Sequence, residues 1–384
     1  MRNSDMKLLT LNRADMIAAV DMLDKIVHRK PITSSWIVRL FYNNAKLYLQ
    51  LSSDATATAV ITPSAGEWPL DDASFFIDRR VLFPFVRVGK SQKKDFELGN
   101  VKGQLLLKQG TRKAKYTTDI EPAGYPSEKR VKGNDIVFND QCHKAVHAAM
   151  VAASKDDREP EIACVHVDEL GVVRSTNNAM MFESDTGESF EKSFPIPIFA
   201  ASLFSTAKAL AVSNSAVILT FDSGQICSQI SDDARQHFPI ELFGKQFKSF
   251  NGVPVQIVMK VSHFHRLIVE HFDTYTSRLD KPSFLNITPV KVKGTRRAFD
   301  FSIYVRGGET KFLGRSIAAA SSATAAKQTV SAKRLAHVAT MFKVLCDGDS
   351  KLRLRFNEDS HLLIEAEKTK VCLVRALPGE PGVM

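Results

Sequence analysis

The sequence predicts an α+β protein of three tandem, diverged domains, each made of two β-α-β-β-β halves. Three observations carry this reading. Six amphipathic helical stretches recur about every sixty residues, short β-branched or alternating runs fill the intervals, and polar, Gly-containing stretches mark two boundaries. At 384 residues, 44% hydrophobic and 24% charged, the chain is long enough for several cores and apolar enough to fill them without staples or metal.

The first helix is read in RADMIAAVDMLDKIV, where Met16, Val20, Leu23 and Val27 fall on one face. The others follow in DRRVLFPFVRV (Val81, Phe85, Val88), DQCHKAVHAAMVAA (Cys142, Val146, Ala149, Ala153) and IFAASLFSTAKAL (Phe199, Leu203, Leu210). The last two are SHFHRLIVEHFDTY (Phe264, Ile268, Phe272) and SAKRLAHVATMFKVL (Leu335, Val338, Phe342, Leu345). They start near Asn12, Asp78, Asn139, Ile198, Ser262 and Ser331, at intervals of 59 to 69 residues. Several of these starts are Asn, Asp or Ser, whose side chains accept from first-turn amides. Pro84 is expected to kink or shorten the second helix, and residues 316–329, rich in Ala and Ser, read as a loop.

Between the helices, WIVRLFY, KLYLQL, ATAVIT, DFELG, QLLLKQG, ACVHVD, AVILTF, QICSQI, FDFSIYV, KLRLRF and HLLIEA read as strands. Turn residues sit between them at Asn43-Asn44, Gly110, Asp222-Ser223-Gly224, Gly307-Gly308 and Asn357-Glu358-Asp359. FFIDRRVLFPFV, IPIFAASLFSTAKAL and TVSAKRLAHVATMF occupy equivalent places and join the halves in pairs, and two pairs close alike at Tyr125-Pro126 and Phe238-Pro239. SEKRVKGND and GKQFKSFNG then act as linkers, giving domains 1–131, 132–249 and 250–384.

The net charge of +10 favours a polyanionic partner. It is unevenly spread. Residues 1–132 hold 22 basic against 14 acidic side chains, residues 133–247 hold 8 against 16, and residues 248–384 hold 22 against 12. No apolar run is long enough for a membrane span and the N-terminus lacks the core of a secretory signal, so a cytoplasmic protein is expected. Five scattered cysteines include no CxxC pair and read as core thiols. His143 and His147 have zinc-ligand spacing, but Lys144 stands where a metalloprotease has its Glu, while His263, His265 and His271 fall on different helix faces. Paired aspartates lie in turns, and the phosphate-loop, dinucleotide and nucleophile-elbow motifs are missing. No catalytic residue, metal or cofactor is expected.

Basic residues on the helices or at their ends are candidates for tracking phosphates without reading bases: Lys25, Arg29, Lys30, Arg79, Arg80, Lys144, Lys155, Arg158, Lys208, Arg266, Lys333 and Arg334. In its six-helix spacing, its SFFIDRRVLFPF segment and its two domain closures, the chain from about Lys7 to Pro378 resembles the bacterial DNA polymerase III beta subunit, the sliding clamp. The resemblance implies three domains closing head to tail as a dimeric ring, helices inside, around double-stranded DNA. Lys30-Pro31 and Lys155 to Arg158 fall on the family's DNA-facing positions.

It also implies a pocket for short peptides of polymerases and clamp-loader subunits, on Ile162, Thr176, Met181, Pro239, Leu373, Val374 and Leu377. Two departures stand out. The family's Asp-Gly-His-Arg turn is Asn177-Asn178-Ala179-Met180, and its short tail is Arg375-Ala376-Leu377-Pro378 with six more residues. Head-to-tail closure would bring the basic first and last thirds together, and like charges weaken an interface unless pairing is local. The alternative is a clamp-like DNA-binding or regulatory protein that forms no closed ring.

Overall fold

A computed structural model of the chain describes residues 7–27, 36–53, 55–69, 74–88, 93–118, 133–156, 158–270, 284–292, 297–304, 310–318, 327–357 and 361–374. The strand–helix–three-strand pattern recurs six times. The first half comprises β1 (Leu8–Leu11), α1 (Arg13–Asp24), β2 (Ile37–Asn43), β3 (Lys46–Ser52) and β4 (Ala55–Ile61), with a two-residue strand β5 (Ala65–Gly66) after it. The second is β6 (Phe75–Asp78), α2 (Arg79–Val88), β7 (Phe96–Val101), β8 (Gln104–Gln109) and β9 (Arg112–Tyr116). β10 (Asn134–Ile136), α3 (Asp140–Ala149), β11 (Cys164–Val167), β12 (Val172–Thr176) and β13 (Met180–Asp185) make the third.

The fourth is β14 (Phe194–Pro197), α4 (Ile198–Leu203), β15 (Ala209–Val212), β16 (Ala216–Phe221) and β17 (Gly224–Gln229), followed by two further helices, α5 (Asp232–Gln236) and α6 (Ile240–Lys248). The fifth is β18 (Ile257–Lys260), α7 (Val261–His265), β19 (Phe284–Lys291), β20 (Arg297–Tyr304) and β21 (Thr310–Ile317). The last is β22 (Gln328–Ser331), α8 (Ala332–Leu345), β23 (Lys351–Phe356), β24 (His361–Ala366) and β25 (Thr369–Val374).

These elements gather into two compact units, residues 1–137 with 206–230, and residues 138–205 with 231–384. The first holds a five-stranded sheet, β5-β1-β7-β8-β9, and an eight-stranded one, β10-β15-β16-β17-β4-β3-β2-β6. The second holds an eight-stranded sheet, β14-β11-β12-β13-β25-β24-β23-β18, and a four-stranded one, β21-β20-β19-β22. Both large sheets join strands distant in sequence, through antiparallel seams β17–β4 and β13–β25. The segment expected as the middle domain supplies strands to both units.

Capping and periodicity explain the helices. Asn12, Asn139 and Ser331 each accept from an amide in the first turn, of Ala14, Cys142 and Arg334. Met16, Val20 and Leu23 of α1, Cys142, Val146 and Ala149 of α3, and Leu335, Val338 and Phe342 of α8 are fully buried. Each of the Met, Val, Leu and Phe side chains among them contributes about 1.5–3 kcal/mol. Tight hairpins follow the turn chemistry: between the paired Asn43 and Lys46, Asn44 and Ala45 both take positive φ (48° and 59°), as a two-residue loop requires.

Several expectations need correction. In α2 the buried stripe is Leu82, Phe83 and Val86, whereas Val81 and Val88 are exposed, because that helix is apolar on more than one side and periodicity alone does not say which side docks. The helix includes Pro84 and runs on to Val88. The fourth helix ends at Leu203, and Leu210 lies in β15, paired with Leu219. The fifth turns π-helical over Arg266–Glu270, and Phe272 lies outside the described residues. The stretch GKQFKSFNG, read as linker, is largely α6. Of residues 316–329, Ser316 and Ile317 belong to β21 and Gln328 and Thr329 to β22. No helix among the described residues is long and apolar enough to cross a membrane.

Gly224 marks how closely the first seam is packed. Its φ is +153°, and a Cβ there would sit 2.1 Å from the carbonyl oxygen of Thr58 and 3.0 Å from the Met22 side chain. Gly224→Ala is expected to destabilise the first unit by about 2 kcal/mol or more, read as a lowered midpoint in urea denaturation.

Candidate nucleic-acid interface and partner pocket

The basic candidates divide into engaged and open cations. In the first unit they are engaged. The Lys25 amine lies 4.4 Å from the centre of the Phe221 ring and 3.5 Å from Thr206 Oγ1. Arg79 has a side chain only 13% exposed, stacks 4.6 Å over Trp36 and reaches Asp24 at 3.9 Å. Arg80 forks onto Asp78, and its guanidinium lies 4.4 Å from the centre of the Trp36 ring. Lys208 pairs with Asp222. Arg29 and Lys30 lie outside the described residues.

In the second unit, Lys144 pairs with Asp140 at 2.6 Å. Arg158 forks onto Asp156 (2.9 and 2.7 Å), and that bond holds the Asp156 carboxyl down to about 2. Lys155, Arg266, Lys333 and Arg334 make no side-chain ion pair among the described residues. Lys155 follows α3, and Lys333 and Arg334 open α8, which packs against α3 and α7. His337 of α8 is held below its ordinary value by burial, then by the charges of Lys333 and Lys155, so those three groups share one patch. Among the described residues, open positive charge on these helices is thus concentrated on the second unit. His143 stacks on Phe204 at 4.4 Å beside Phe138, and no metal-binding cluster occurs among the described residues.

The pocket residues sit around the second seam. Thr176 pairs with Met181, Met181 with Cys372, and Cys372 with Leu363, so these four share one face of the sheet. Val374, two residues beyond Cys372, is on that face too. Leu373 is not. It pairs with Met180, and with Val371 and Phe182 it belongs to the other face, where α3 and α8 pack. A one-residue shift in register reverses the face, so Cys372 takes the place expected of Leu373. Ile162 is buried just ahead of β11, Pro239 opens α6, and Leu377 lies outside the described residues.

Sequence reasoning misses the periodicity of α6. Phe243 and Phe247 lie at i, i+4 and lay the helix over Cys164 and Met181, while Phe250 covers Leu363 and Cys372. Phe238, Phe243 and Phe247 form a chain of ring contacts at 5.7 and 6.1 Å, which His166 extends by stacking on Phe238 at 4.6 Å. The signal is the spacing 243, 247, 250; Gly244 and the surrounding polar residues hide it. Beside this apolar row runs a ladder of alternating charge: Arg174, Glu183, Lys370, Glu365 and Arg353 are successive cross-strand partners. Arg174 meets Glu183 at 2.9 Å, and Lys370 meets it at 3.7 Å across the seam.

His166 is 3% exposed and its Nδ1 has no hydrogen-bond partner among the described residues. Burial, followed by the neighbouring Arg174, depresses it from 6.5 to about 4. As pH falls below 6.5 the unfolded chain takes up a proton that the folded site refuses until about 4. Stability is therefore lost across that window, by up to about 3 kcal/mol. His166→Phe, which keeps the stack on Phe238, is expected to flatten this loss in urea denaturation compared at pH 7 and pH 4.5.

No family model matches the sequence, and no curated protein sequence matches it. Solved structures do. The DNA polymerase sliding clamp of Caulobacter crescentus superimposes with a TM-score of 0.72 at 14% identity, covering 96% of this chain and 99% of that one. The sliding clamp of Bacillus subtilis gives 0.72 at 12% identity over 97% and 100%. A putative DNA polymerase III beta subunit from Eubacterium rectale gives 0.74 at 10% over 96% and 99%. Across nearly its whole length, then, this chain has the fold of the DNA polymerase III beta sliding clamps, at a sequence distance that leaves the fold as what the two share.

Proposed function

We propose that the chain is a DNA sliding clamp, a non-enzymatic processivity factor of the cytoplasm. Three clamp-type domains, 1–131, 132–249 and 250–384, close head to tail with a second copy around duplex DNA and tether a replicative polymerase. The observation that carries this reading is the end-to-end likeness, over 96–97% of this chain, to proteins described as sliding clamps. A topological mechanism needs no catalytic group. Polymerase and clamp-loader peptides would dock beside Thr176, Met181, Cys372 and Val374, against α6.

The deciding experiment loads the protein onto a nicked circular plasmid, with its loader where required, and then linearises the DNA. A ring is retained on the circle and lost from the ends. Equal retention on both supports the second reading, a clamp-like DNA-binding protein without closure, which the basic edge strands β9 and β21 favour.

The open cations make the duplex contact. Alanine at Lys155, Arg266, Lys333 or Arg334 is expected to weaken DNA binding equally for any sequence and to reduce the salt slope of log K by about 0.9 for each phosphate left without its cation. Arg79→Ala should instead lower thermal stability, since its guanidinium is committed to Trp36 and Asp24. Fluorescence anisotropy across a salt series, alongside thermal melts, separates the two.

A further inference from the structure

The sheet face that carries the candidate pocket is already filled by the chain itself. Cys164, Leu363 and Cys372 are each buried, and what lies over them is the segment from Phe238 to Phe250. Phe243, only 1% exposed, packs with Cys164, Phe250 packs with Leu363 and Cys372, and Phe247 and Met181 touch both groups. A peptide arriving from solution therefore meets the outer side of α6 and not the floor of the pocket.

Little besides those rings holds α6 down. It has nine residues, shorter than the roughly 12–15 below which an isolated helix is marginal in water. Its N-cap, Pro239, offers no side-chain acceptor to the first-turn amides. Gly244 sits exposed at its centre, where a Cβ would meet nothing within 4 Å, so glycine weakens the helix there without a packing need. Gln246 hydrogen-bonds Cys372, and the Lys370 amine lies 5.7 Å from the centre of the Phe247 ring. Glu241, Lys245 and Lys248 make no ion pair among the described residues. The two ends of the segment are tied instead: Phe238 stacks on His166 at 4.6 Å, Asn357 donates to Ser249 Oγ at 3.3 Å, and Arg355 holds the Val253 carbonyl at 3.3 Å.

We propose that α6 is a self-docked lid, which unravels between its tied ends to bare Cys164 and Met181 and admits a partner peptide in place of Phe243 and Phe247. This rests on the pocket reading above. The rings of α6 and those of the partner compete for one apolar site. The apparent dissociation constant is then the intrinsic one divided by the fraction of molecules with α6 open. Strengthening α6 weakens partner binding without touching the partner, and loosening it does the reverse. An element with this task belongs at the low-stability end of the structure.

Cys164 reports on the lid, and Cys142, in α3 on the opposite side of the sheet, is its matched reference. The two thiols are 1% and 0% exposed, and burial pushes both up to about 12, so neither reacts until its cover opens. Timed alkylation of the folded full chain with iodoacetamide, read by peptide mass spectrometry, is expected to modify Cys164 about tenfold or more faster than Cys142. Gly244→Ala should slow Cys164 by about fivefold, the difference between glycine and alanine in a helix interior. A fluorescent peptide copying residues 238–250, added to the full chain and followed by anisotropy, should bind. Its affinity should be about fivefold lower for Gly244→Ala, and higher for Phe243→Ala, than for the wild type. Cys164 modified no faster than Cys142 overturns the lid whatever the peptide does, and so does a Cys164 rate that Gly244→Ala leaves unchanged. Peptide affinity identical in all three proteins overturns the competition. A chain whose Cys164 opens as expected but which takes up no peptide keeps the lid and overturns the pocket reading.

Discussion

Backbone pairing between segments far apart in sequence is the constraint on which this structure rests. Helical faces, hairpins and charge ladders are all local until β4 meets β17 and β13 meets β25. Each seam turns two four-stranded halves into one eight-stranded sheet, so helices from different halves share a floor. In the second unit α3 and α8 pack together on one side of such a floor while α5 and α6 cover the other. The cation patch and the candidate pocket thus lie on opposite faces of one sheet, and the seam that builds the one positions the other.

The seam also explains why charge and apolarity alternate there. Along β13 and β25, Met181 faces Cys372 and Glu183 faces Lys370, so one row offers apolar surface and the next ion pairs. An ion pair in a cross-strand position contributes roughly 0.2–1 kcal/mol. Its larger effect is on register: a shift by one residue would turn Glu183 and Lys370 towards the α3 side and bring Phe182 and Val371 out.

Much of this is legible in the sequence, because it depends on periodicity and on turn chemistry. The six helix starts, with Asn12, Asn139 and Ser331 as working caps, and the hairpins at Asn43-Asn44, Gly110 and Asp222-Ser223-Gly224 can be read from one strand of text; Gly307-Gly308, Glu358 and Asp359 lie outside the described residues. What cannot be read is which side docks. The α2 helix has Val81, Phe85 and Val88 on one stripe and Leu82 and Val86 on the next, and only β6 and the sheet beneath decide between them. The candidate pocket meets the same difficulty: Cys372 and Leu373 are equally apolar in the text, and only the pairing shows that Cys372 shares a face with Met181. Among the cations, net charge indicates a polyanion but not that Asp24, Asp78 and Asp222 occupy Arg79, Arg80 and Lys208. Ion pairs between elements have no sequence period.

The position of β25 has a consequence for how the molecule is made. It lies in the middle of its sheet, between β13 and β24, although it is the last strand described. On a ribosome adding about 5–20 residues each second, β13 would wait roughly ten to forty seconds for its neighbour. Through that interval its backbone amides and carbonyls face outward, along with Met181. Glu183 and Asp185 stand on the same strand, and charged side chains of this kind on an open edge discourage pairing with the wrong chain.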